Sequence, residues 1–373
     1  MIVREIDTED RSDVNRFIDF SFDLYEGCEQ WVPPLVSSLR LAMDRRRHPF
    51  YHHSDAAFFV AELDGQVAGR IAALDNERYN AYNDAKVAFF YYFDVIHDQQ
   101  VAQGLLDAAA DWARSRGLEK LMGPKGPLRS DPYGILFQGF EYRAAMSMPY
   151  NYPYYADLLT AAGFEKEIDY VSGHISGSYE LPERLVTLID RIKTRRGFWV
   201  KSFETKRELR KWIPEIQRVN NAAFTDIWGY YPIDDAEVRM IGKQLLTIAD
   251  PRLIKIVMKD DEIAGFAFLF PDVGETLRSI RGRLWPFGWI KVLIALHRTD
   301  RLLANGIGLL PKYQGLGASA LLYHAFRETV DEDEANYCEI AQIMETNIKS
   351  LGDMNMLGVD WHKVHRVYRR SLL

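Results

Sequence analysis

Two glycines in one short loop are the residues of this 373-residue chain best placed to hold a ligand. An apolar run, Gly308 to Leu310, ends at Pro311, and Gly315 and Gly317 follow just before an apolar helical pattern. This order predicts a strand, a tight turn and a helix N-terminus. The backbone N–H groups of such a turn converge, and the helix dipole favours an anion in front of them. The stretch therefore predicts a cradle for a diphosphate.

Several kinds of loop contain two closely spaced glycines. A nucleotide P-loop is excluded because no lysine follows Gly317. The dinucleotide fingerprint G-x-G-x-x-G/A is met by Gly315 to Ala320, and acidic residues follow at Asp331 and Glu332. That motif belongs to the first strand–helix–strand unit of a doubly wound sheet, whereas only about fifty residues remain here. A left-handed turn that merely caps the helix is the alternative without a ligand.

The composition is that of a globular chain, with 47% hydrophobic and 27% charged residues, and the length favours two domains. The net charge of −7 gives no overall attraction to nucleic acid. Cys28 and Cys338 are far apart and lack metal-ligand spacing, which indicates reduced thiols. We found neither a signal peptide nor a stretch of ~18 uninterrupted apolar residues. We therefore expect a cytoplasmic protein without an integral membrane segment.

The chain also repeats itself at a nearly constant offset. Phe58 to Leu74 predicts a β-hairpin that turns at Asp64-Gly65, and Ile254 to Phe270 predicts a second one. Matching positions lie 195 to 197 residues apart: Thr8 and Thr205, Asp64 and Asp260, Val67 and Ile263, Gly69 and Gly265, Gly163 and Gly358. This repeat predicts two copies of one mixed α/β fold, residues 1–180 and 198–373, joined by a polar connection.

The two copies differ at the glycine loop. When Leu105-Leu106 is aligned with Leu321-Leu322, the second copy has Gln314 to Gly317 where the first has Asp98 to Val101. The first copy thus has no glycine in the turn and places an acid where an anion would lie. We expect a single cradle, in the second copy.

The stretch Leu309 to Ser319 resembles the coenzyme A pyrophosphate loop of the GNAT superfamily of acyl-CoA-dependent N-acyltransferases, Q/R-x-x-G-x-G/A. Gln314 and Gly317 match that pattern, and Ser319 stands where glycine or alanine is usual. In a later motif of the family, an asparagine is followed about eleven residues further on by glycine and an aromatic residue. Asn347 and Gly358-Val359 are similar to this motif. The resemblance implies a tandem duplicated GNAT fold, a mixed sheet with flanking helices, whose N-terminal copy is degenerate and lacks the pyrophosphate loop.

The resemblance also implies which residues bind the donor and which act on it. Acetyl-CoA or another acyl-CoA would be the co-substrate, with no metal, and would contact Leu309, Leu310, Gln314, Gly315, Leu316, Gly317, Ala318, Ser319 and Asn347. A backbone N–H near Leu309 or Leu310 would polarise the thioester carbonyl. The amine must be neutral to attack, and we expect Glu339 to be the base, with Gln342 and Glu345 as the other nearby polar residues.

One residue of the expected machinery differs from the family. The family's tyrosine acid stands seven residues after the motif asparagine, and Met354 occupies that position here. Protonation of the leaving thiolate would then come from another group or from solvent.

The function that follows is transfer of an acyl group to a small amine or amino-acid-like acceptor bound between the two domains. The N-terminal copy would brace the fold and shape the acceptor cleft, with no nucleic acid involved and a homodimer left open. Two alternatives remain: a non-catalytic acyl-CoA-binding or regulatory module, favoured by Met354, and aminoacyl transfer from charged tRNA on the same tandem fold, which would require a basic face.

The second copy carries an insertion at about residues 272–300. Its aromatic and apolar stretch, Leu284 to His297, is flanked by four arginines, namely Arg278, Arg281, Arg283 and Arg298. Three interpretations are open: a buried helix that packs the halves together, a lid or apolar wall over the acceptor or a longer acyl chain, and peripheral contact with a membrane.

Overall fold

The computed structural model describes residues 1–195, 197–332 and 335–373. The strands are β1 Ile2–Glu5, β2 Asp55–Leu63, β3 Gln66–Asp75, β4 Val87–Val95, β5 Lys120–Gly123, β6 Ile135–Gln138, β7 Glu165–Ser176, β8 Phe198–Lys201, β9 Ile254–Lys259, β10 Glu262–Pro271, β11 Arg301–Leu309, β12 Tyr337–Met344 and β13 Asp360–Ser371. The helices are α1 Arg11–Leu24, α2 Val36–Met43, α3 Glu77–Asn83, α4 Gln99–Ser115, α5 Tyr155–Ala161, α6 Glu183–Arg195, α7 Lys206–Ala223, α8 Asp235–Ile248, α9 Gly274–Ser279, α10 Gly288–Leu296, α11 Ala318–Glu332 and α12 Ile348–Met356.

The internal repeat seen in the sequence is a repeat of structure. The hairpin β2–β3 corresponds to β9–β10, and in each copy a further strand and a long helix follow, β4–α4 and β11–α11. Asp64 and Asp260 turn the two hairpins with φ angles of 51° and 53°. Each copy closes with a short helix and a long strand, α5–β7 and α12–β13. The predicted mixed α/β fold in tandem is confirmed.

The first compact unit consists of Met1–Val171, Gly274–Lys291 and His362–Leu373. Its strands follow the order β1-β2-β3-β4-β5-β13-β7, and β6 pairs with β13. β2, β3 and β4 are antiparallel neighbours, whereas β4 and β5 are parallel. Helix α4 packs on β2 and β3 through residues at helical spacing that are fully buried in the core: Val101, Leu105, Leu106, Ala109 and Ala113.

The second compact unit consists of Ser172–Val273 and Val292–Trp361. Its strands follow the order β7-β12-β11-β10-β9-β8, with antiparallel pairing around β10 and parallel pairing between β11 and β12. Alternate residues of β9 and β10 enter two hydrophobic clusters. One cluster contains Val257 and the buried side of α11, and the other contains Ile256 and the buried side of α7.

Neither compact unit is one continuous stretch of the chain, whereas the predicted domains, 1–180 and 198–373, are continuous. Residues 362–373 of β13 and its C-terminal extension belong to the first unit, where Tyr368 to Ser371 pair antiparallel with Lys120 to Gly123 of β5. Residues 274–291 of the insertion belong to that unit as well. Each compact unit therefore includes residues of the other copy: 274–291 and 362–373 of the second copy lie in the first unit, and the end of β7 from Ser172 lies in the second. Within the described residues, no helix is both long and apolar enough to cross a membrane.

An ion pair inside the first unit holds β13 in place. Arg366 donates from Nε to Oδ1 of Asp169 at 2.8 Å and from Nη2 to Oδ2 at 2.9 Å, and its guanidinium lies 3.7 Å from the ring centroid of Phe137. Although burial opposes ionisation, the hydrogen bonds from Arg366 and Lys166 keep the pKa of the Asp169 carboxyl below its ordinary value. The carboxylate is 8% exposed, so it depends on these partners.

Replacing Arg366 by methionine should lower the free energy of unfolding by about 2–3 kcal/mol, because the Asp169 carboxylate would lose its bidentate partner while staying buried. A lowered pKa stabilises the fold above the pKa of the unfolded carboxyl, about 3.9, and this stabilisation is lost as the pH falls through the folded value. The difference between native chain and variant, measured by urea unfolding, should therefore shrink from pH 7 to pH 3.

The matched control is Arg369→Met on the same strand. Arg369 pairs with Glu165 and Glu167 and is 42% exposed, so its replacement should cost less than about 1 kcal/mol. Equal losses in the two variants would contradict the role given to Arg366.

Candidate functional site

The glycine loop has the predicted order of strand, turn and helix. β11 ends at Leu309, a short 3₁₀ turn spans Pro311–Tyr313, and α11 begins at Ala318. Gly315 and Gly317 have φ angles of 72° and 87°. Any residue with a Cβ would pay about 1–2 kcal/mol in this left-handed region. The two glycines therefore fix the path of the loop into the helix.

The space in front of the loop is open. A Cβ built on Gly315 would meet no atom within 4 Å, so the requirement for glycine there is conformational rather than a matter of packing. Ala318, in contrast, is fully buried and anchors the first turn of α11 in the core. One side of the loop is therefore fixed by packing and the other side is accessible.

The helix N-terminus supplies hydrogen-bond donors to this open side. The first four N–H groups of an α-helix have no acceptor within the helix, and those of Ala318 and Ser319 belong to this set. The N–H of Ala320 closes the turn by donating to the carbonyl of Gly317 at 3.0 Å. These amides and the dipole of α11 together form the positive end that a diphosphate requires.

A lysine that sequence analysis missed lies beside the loop. Gln314 donates from Nε2 to the carbonyl of Leu309 at 3.3 Å, and Lys349 donates from Nζ to Oε1 of Gln314 at 3.1 Å. Lys349 is exposed and lies in the first turn of α12. It is separated from Gln314 by 35 positions, so no local pattern could have indicated the contact. An ammonium group at this place favours a bound anion.

β11 carries a bulge just before the loop. One extra residue lies between Ala304 and Ile307 relative to β10, and Gly306 there has a φ angle of 105°. The parallel pairing of β11 with β12 covers Arg301 to Ala304, ahead of the bulge. A bulge bends the bulged strand and interrupts its ladder, so the edge of β11 that follows is the edge from which a ligand could accept or donate hydrogen bonds.

The predicted role of Leu310 requires a correction. Its N–H donates to the carbonyl of Ala264 at 2.9 Å, and its side chain is buried in the core. This N–H is part of the ladder with β10 and is not directed toward a thioester. Because successive residues of a strand direct their N–H groups to opposite edges, the N–H of Leu309 is the one that faces away from β10. Of the two residues predicted for this role, Leu309 is the one for which it stays a prediction.

The predicted base, Glu339, lies away from the loop. Its register partner is Leu303, six positions before Leu309, which at about 3.3 Å per residue is roughly 20 Å along the strand. Glu339 is also 2% exposed, and Tyr337 donates from its hydroxyl to Oε2 at 2.6 Å. The pattern of the sequence could not separate a buried strand carboxylate from one at the strand end. Glu345, half-buried directly after β12, follows the carboxyl end of that strand, and because β11 and β12 are parallel this end lies on the same side of the sheet as the end of β11 at Leu309.

The remaining predicted residues have local structural roles. Asn347 caps α12 by accepting from the N–H of Ser350 at 3.2 Å. Met354, at the position of the family's tyrosine, is buried in the core, and its thioether has no acidic proton.

A hydrogen-bonded chain also connects α11 with α12. The hydroxyl of Ser319 donates to Tyr323, whose own hydroxyl donates to Oδ2 of Asp353 at 2.9 Å. Burial raises the pKa of Tyr323 well above its ordinary value, so its phenol is protonated at neutral pH. Gly315, Leu316 and Ser319 line the loop itself, with Leu316 exposed at its tip.

The first copy fills the equivalent place with its own side chain. Asp98 caps α4 by accepting from the N–H groups of Gln100 at 2.8 Å and Val101 at 3.1 Å. The carboxylate thus occupies the helix N-terminus that a diphosphate would need. This is the arrangement that the alignment of Asp98 with the glycine loop predicted.

Comparison with known proteins places these observations in a family context. The sequence profile of the Acetyltransferase (GNAT) family matches residues 23–123, in the copy capped by Asp98. Protein YghO of Escherichia coli strain K12 is 26% identical over 97% of this chain and 94% of that protein. A protein of Caulobacter vibrioides named bacterial ceramide synthase is 26% identical over 97% of this chain and 95% of that protein.

Solved structures resemble the whole chain. A tandem GNAT protein from the clavulanic acid biosynthesis pathway matches with a TM-score of 0.59, covering 100% of this chain and 98% of that chain at 12% identity. A GCN5-related N-acetyltransferase from Sphaerobacter thermophilus matches with a TM-score of 0.53, covering 100% and 95% at 13% identity. At such identities these structures support the fold and not the substrates.

Replacing Lys349 by glutamine should weaken binding of coenzyme A about fivefold, or about 1 kcal/mol, because the ammonium group beside Gln314 would be lost. Titration calorimetry at low salt measures the effect, and 0.5 M NaCl should reduce the difference because salt screens exposed charges. Lys243→Gln, an exposed lysine of α8, is the control and should leave the affinity unchanged. Equal effects of both substitutions would remove Lys349 from the site.

Proposed function

The chain is a tandem two-domain protein of the GNAT fold, and from this we propose that it transfers an acyl group from an acyl-CoA to an amine. The observation that carries the proposal is the N-terminus of α11, with its left-handed glycines, the amides of Ala318 and Ser319 that have no acceptor within the helix, and the adjacent Lys349. The pyrophosphate of the donor would bind there, on the amides of the loop and of the first turn of α11, between Gly315 and Ser319; the N–H of Gln314, which sequence analysis included, donates to the carbonyl of Pro311 at 3.3 Å. The pantetheine arm would follow the edge of β11 beyond the bulge at Gly306.

The chemistry we propose requires one fixed dipole and one proton acceptor. The N–H of Leu309 would stabilise the oxyanion that forms when a neutral amine attacks the thioester carbonyl. The nitrogen must lose a proton as the C–N bond forms, and Glu345 or a water held by it would accept that proton. Collapse of the intermediate breaks the C–S bond and yields an amide and the thiolate of coenzyme A.

The absence of a tyrosine at Met354 is compatible with this scheme. A free thiol has a pKa near 8.5, so a thiolate is a weak base and leaves without full protonation by the enzyme. Solvent can then protonate it after the C–S bond has broken. The buried phenol of Tyr323 would act as a positioning group, because its hydroxyl is already donated to Asp353 on α12.

We propose two acceptor classes that differ in polarity. A small amine or amino-acid-like acceptor is the one that sequence analysis indicates. A long-chain amino alcohol is favoured by the relative named bacterial ceramide synthase, because a ceramide is the amide of such an alcohol with a fatty acid. Both acceptors imply the same bond formation and differ only in the acceptor and acyl chain that the protein selects.

The two rival functions make different demands. A non-catalytic module would bind acyl-CoA without turnover. Aminoacyl transfer from tRNA would require a basic face, against which the net charge of −7 counts.

A thiol-release assay separates these functions. The chain is incubated with acetyl-CoA or palmitoyl-CoA and with a polyamine, amino acids or sphinganine, and the amide product is identified by mass spectrometry. Turnover with a small amine or with sphinganine assigns the acceptor class. One-to-one binding of coenzyme A without turnover across the whole panel would leave the non-catalytic module, and absence of binding would refute the donor site.

Replacing Gly317 by aspartate should weaken coenzyme A binding at least tenfold, or about 1.4 kcal/mol, because a carboxylate would face the diphosphate and compete for its amides. Calorimetry of the native chain should give one site per chain, since Asp98 occupies the equivalent helix N-terminus in the first copy.

The control is Gly117→Asp, which places the same residue at a left-handed glycine, φ 76°, with no atom within 4 Å of its Cβ. This substitution imposes similar backbone strain at the end of α4 and should leave the affinity unchanged. Two sites per chain, or unaltered affinity in Gly317→Asp, would show that the ligand binds elsewhere.

A further inference from the structure

Among the residues that the structure describes, the insertion contains several of the most exposed large apolar side chains. Trp285 is 83% exposed and Phe287 is 69% exposed, just ahead of α10. On α10 itself, Trp289, Ile290, Leu293 and Ile294 are each between 39% and 49% exposed. The insertion is therefore not a simple buried helix, because its largest side chains face solvent. Contiguous exposed apolar surface of this kind marks an interaction site.

The exposed residues occupy one face of the helix. Trp289, Ile290, Leu293 and Ile294 follow the i, i+1, i+4, i+5 spacing that places side chains on one side at 3.6 residues per turn. Gly288 is buried, and Val292, Ala295 and Leu296 on the opposite side are half-buried. The helix thus lies on the protein with the side that contains Gly288, Val292, Ala295 and Leu296, and it presents Trp289, Ile290, Leu293 and Ile294 outward.

The charged residues within this segment of the sequence have one sign. From Thr276 to Thr299 the sequence contains five cationic residues and no acidic residue, although the chain as a whole carries a net charge of −7. The five are Arg278, Arg281, Arg283, Lys291 and Arg298. Lys291 and Arg298 are exposed at the side of the apolar face. Lysine and arginine in such positions extend their aliphatic stems along apolar surface and keep their charges at its rim.

Two of the arginines have acidic partners elsewhere. Arg281 approaches Glu26 at 3.5 Å and Arg283 approaches Asp19 at 3.0 Å, in pairs whose four side chains are at least 47% exposed. Exposed ion pairs contribute little and exchange readily with other anions. The cationic side of the patch is therefore available to an anionic surface.

We infer that the segment Trp285–Leu296 docks the protein on the surface of an anionic lipid bilayer. Trp285 and Phe287 would enter the interface at the level of the headgroups, where tryptophan is preferred, and Leu293 and Ile294 would contact the acyl chains. Lys291 and Arg298 would lie among the phosphates of anionic lipids. Aromatic residues, an aliphatic face and a cationic rim on a nine-residue helix fit a helix that lies in the interface, not one that spans it.

The inference is independent of the proposed acyl transfer, and its test has a separate readout. The full chain is sedimented with vesicles of phosphatidylcholine containing 30% phosphatidylglycerol, and with vesicles of phosphatidylcholine alone. We expect clear binding to the anionic vesicles, at least tenfold weaker binding to the neutral ones, and partial loss in 0.5 M NaCl because only the electrostatic part is screened.

The variant Trp285→Ser/Phe287→Ser/Leu293→Ser should reduce binding to anionic vesicles at least tenfold. These side chains are exposed, so the thermal unfolding midpoint and coenzyme A binding should stay as in the native chain. Trp199→Ser is the matched control, because Trp199 on β8 is 46% exposed and lies outside the patch. Its replacement should leave vesicle binding unchanged.

Tryptophan fluorescence identifies which side chains enter the bilayer. Lipids brominated on their acyl chains should quench the native chain and the Trp199→Phe variant, but not the Trp285→Phe/Trp289→Phe variant. Absence of vesicle binding, or binding that the triple variant retains, would overturn the proposal. So would light scattering that shows a dimer for the native chain and a monomer for the triple variant, because the face would then be a contact between copies.

Discussion

The candidate site depends on which groups accept hydrogen bonds from the N–H groups at the N-terminus of a helix. Both copies of the fold present such a terminus after an equivalent strand, at α4 and at α11. In the first copy a carboxylate of the chain accepts the amides, through Asp98. In the second copy the corresponding loop contains two left-handed glycines, with Lys349 nearby. One exchange of residue types thus distinguishes a helix N-terminus that the chain caps itself from the one at which we propose that an external anion binds.

Much of the fold followed from short-range signals. The hairpin turns at Asp64 and Asp260 and the spacing of Val101 and Leu105 each depend on residues near one another in sequence, and the duplication is visible as a steady offset of 195 to 197 residues between matching positions. Sequence patterns did not predict the position of side chains that depends on pairing between distant segments. Glu339 lies opposite Leu303 rather than Leu309 because of strand register, which local spacing does not encode. The family profile matches residues 23–123, in the first copy, whereas the glycine loop lies in the second copy.

The contrast between local signals and long-range pairing also separates the residues proposed for binding from those proposed for catalysis. Backbone amides at a helix end need only a suitable turn, so glycine, alanine and serine suffice to supply them. Proton transfer needs a side chain at a defined distance from a reacting atom, and it is sensitive to a shift of one position along a strand. Leu310 illustrates the point, because its N–H belongs to the ladder with β10 while that of its neighbour faces the other edge.

The exchange of β13 has a consequence for how the protein is made. Residues 362–373 are synthesised after the whole of the second unit, yet they complete the sheet of the unit that contains Met1, where Arg366 joins Asp169. That unit therefore cannot acquire all its strands until these residues have left the ribosome. Division of the gene at the joint between the copies would produce an N-terminal fragment with an open sheet edge, which is prone to aggregate. Completion of the sheet in the first unit therefore depends on prior synthesis of the second unit, which lies between Val171 and His362 in the chain.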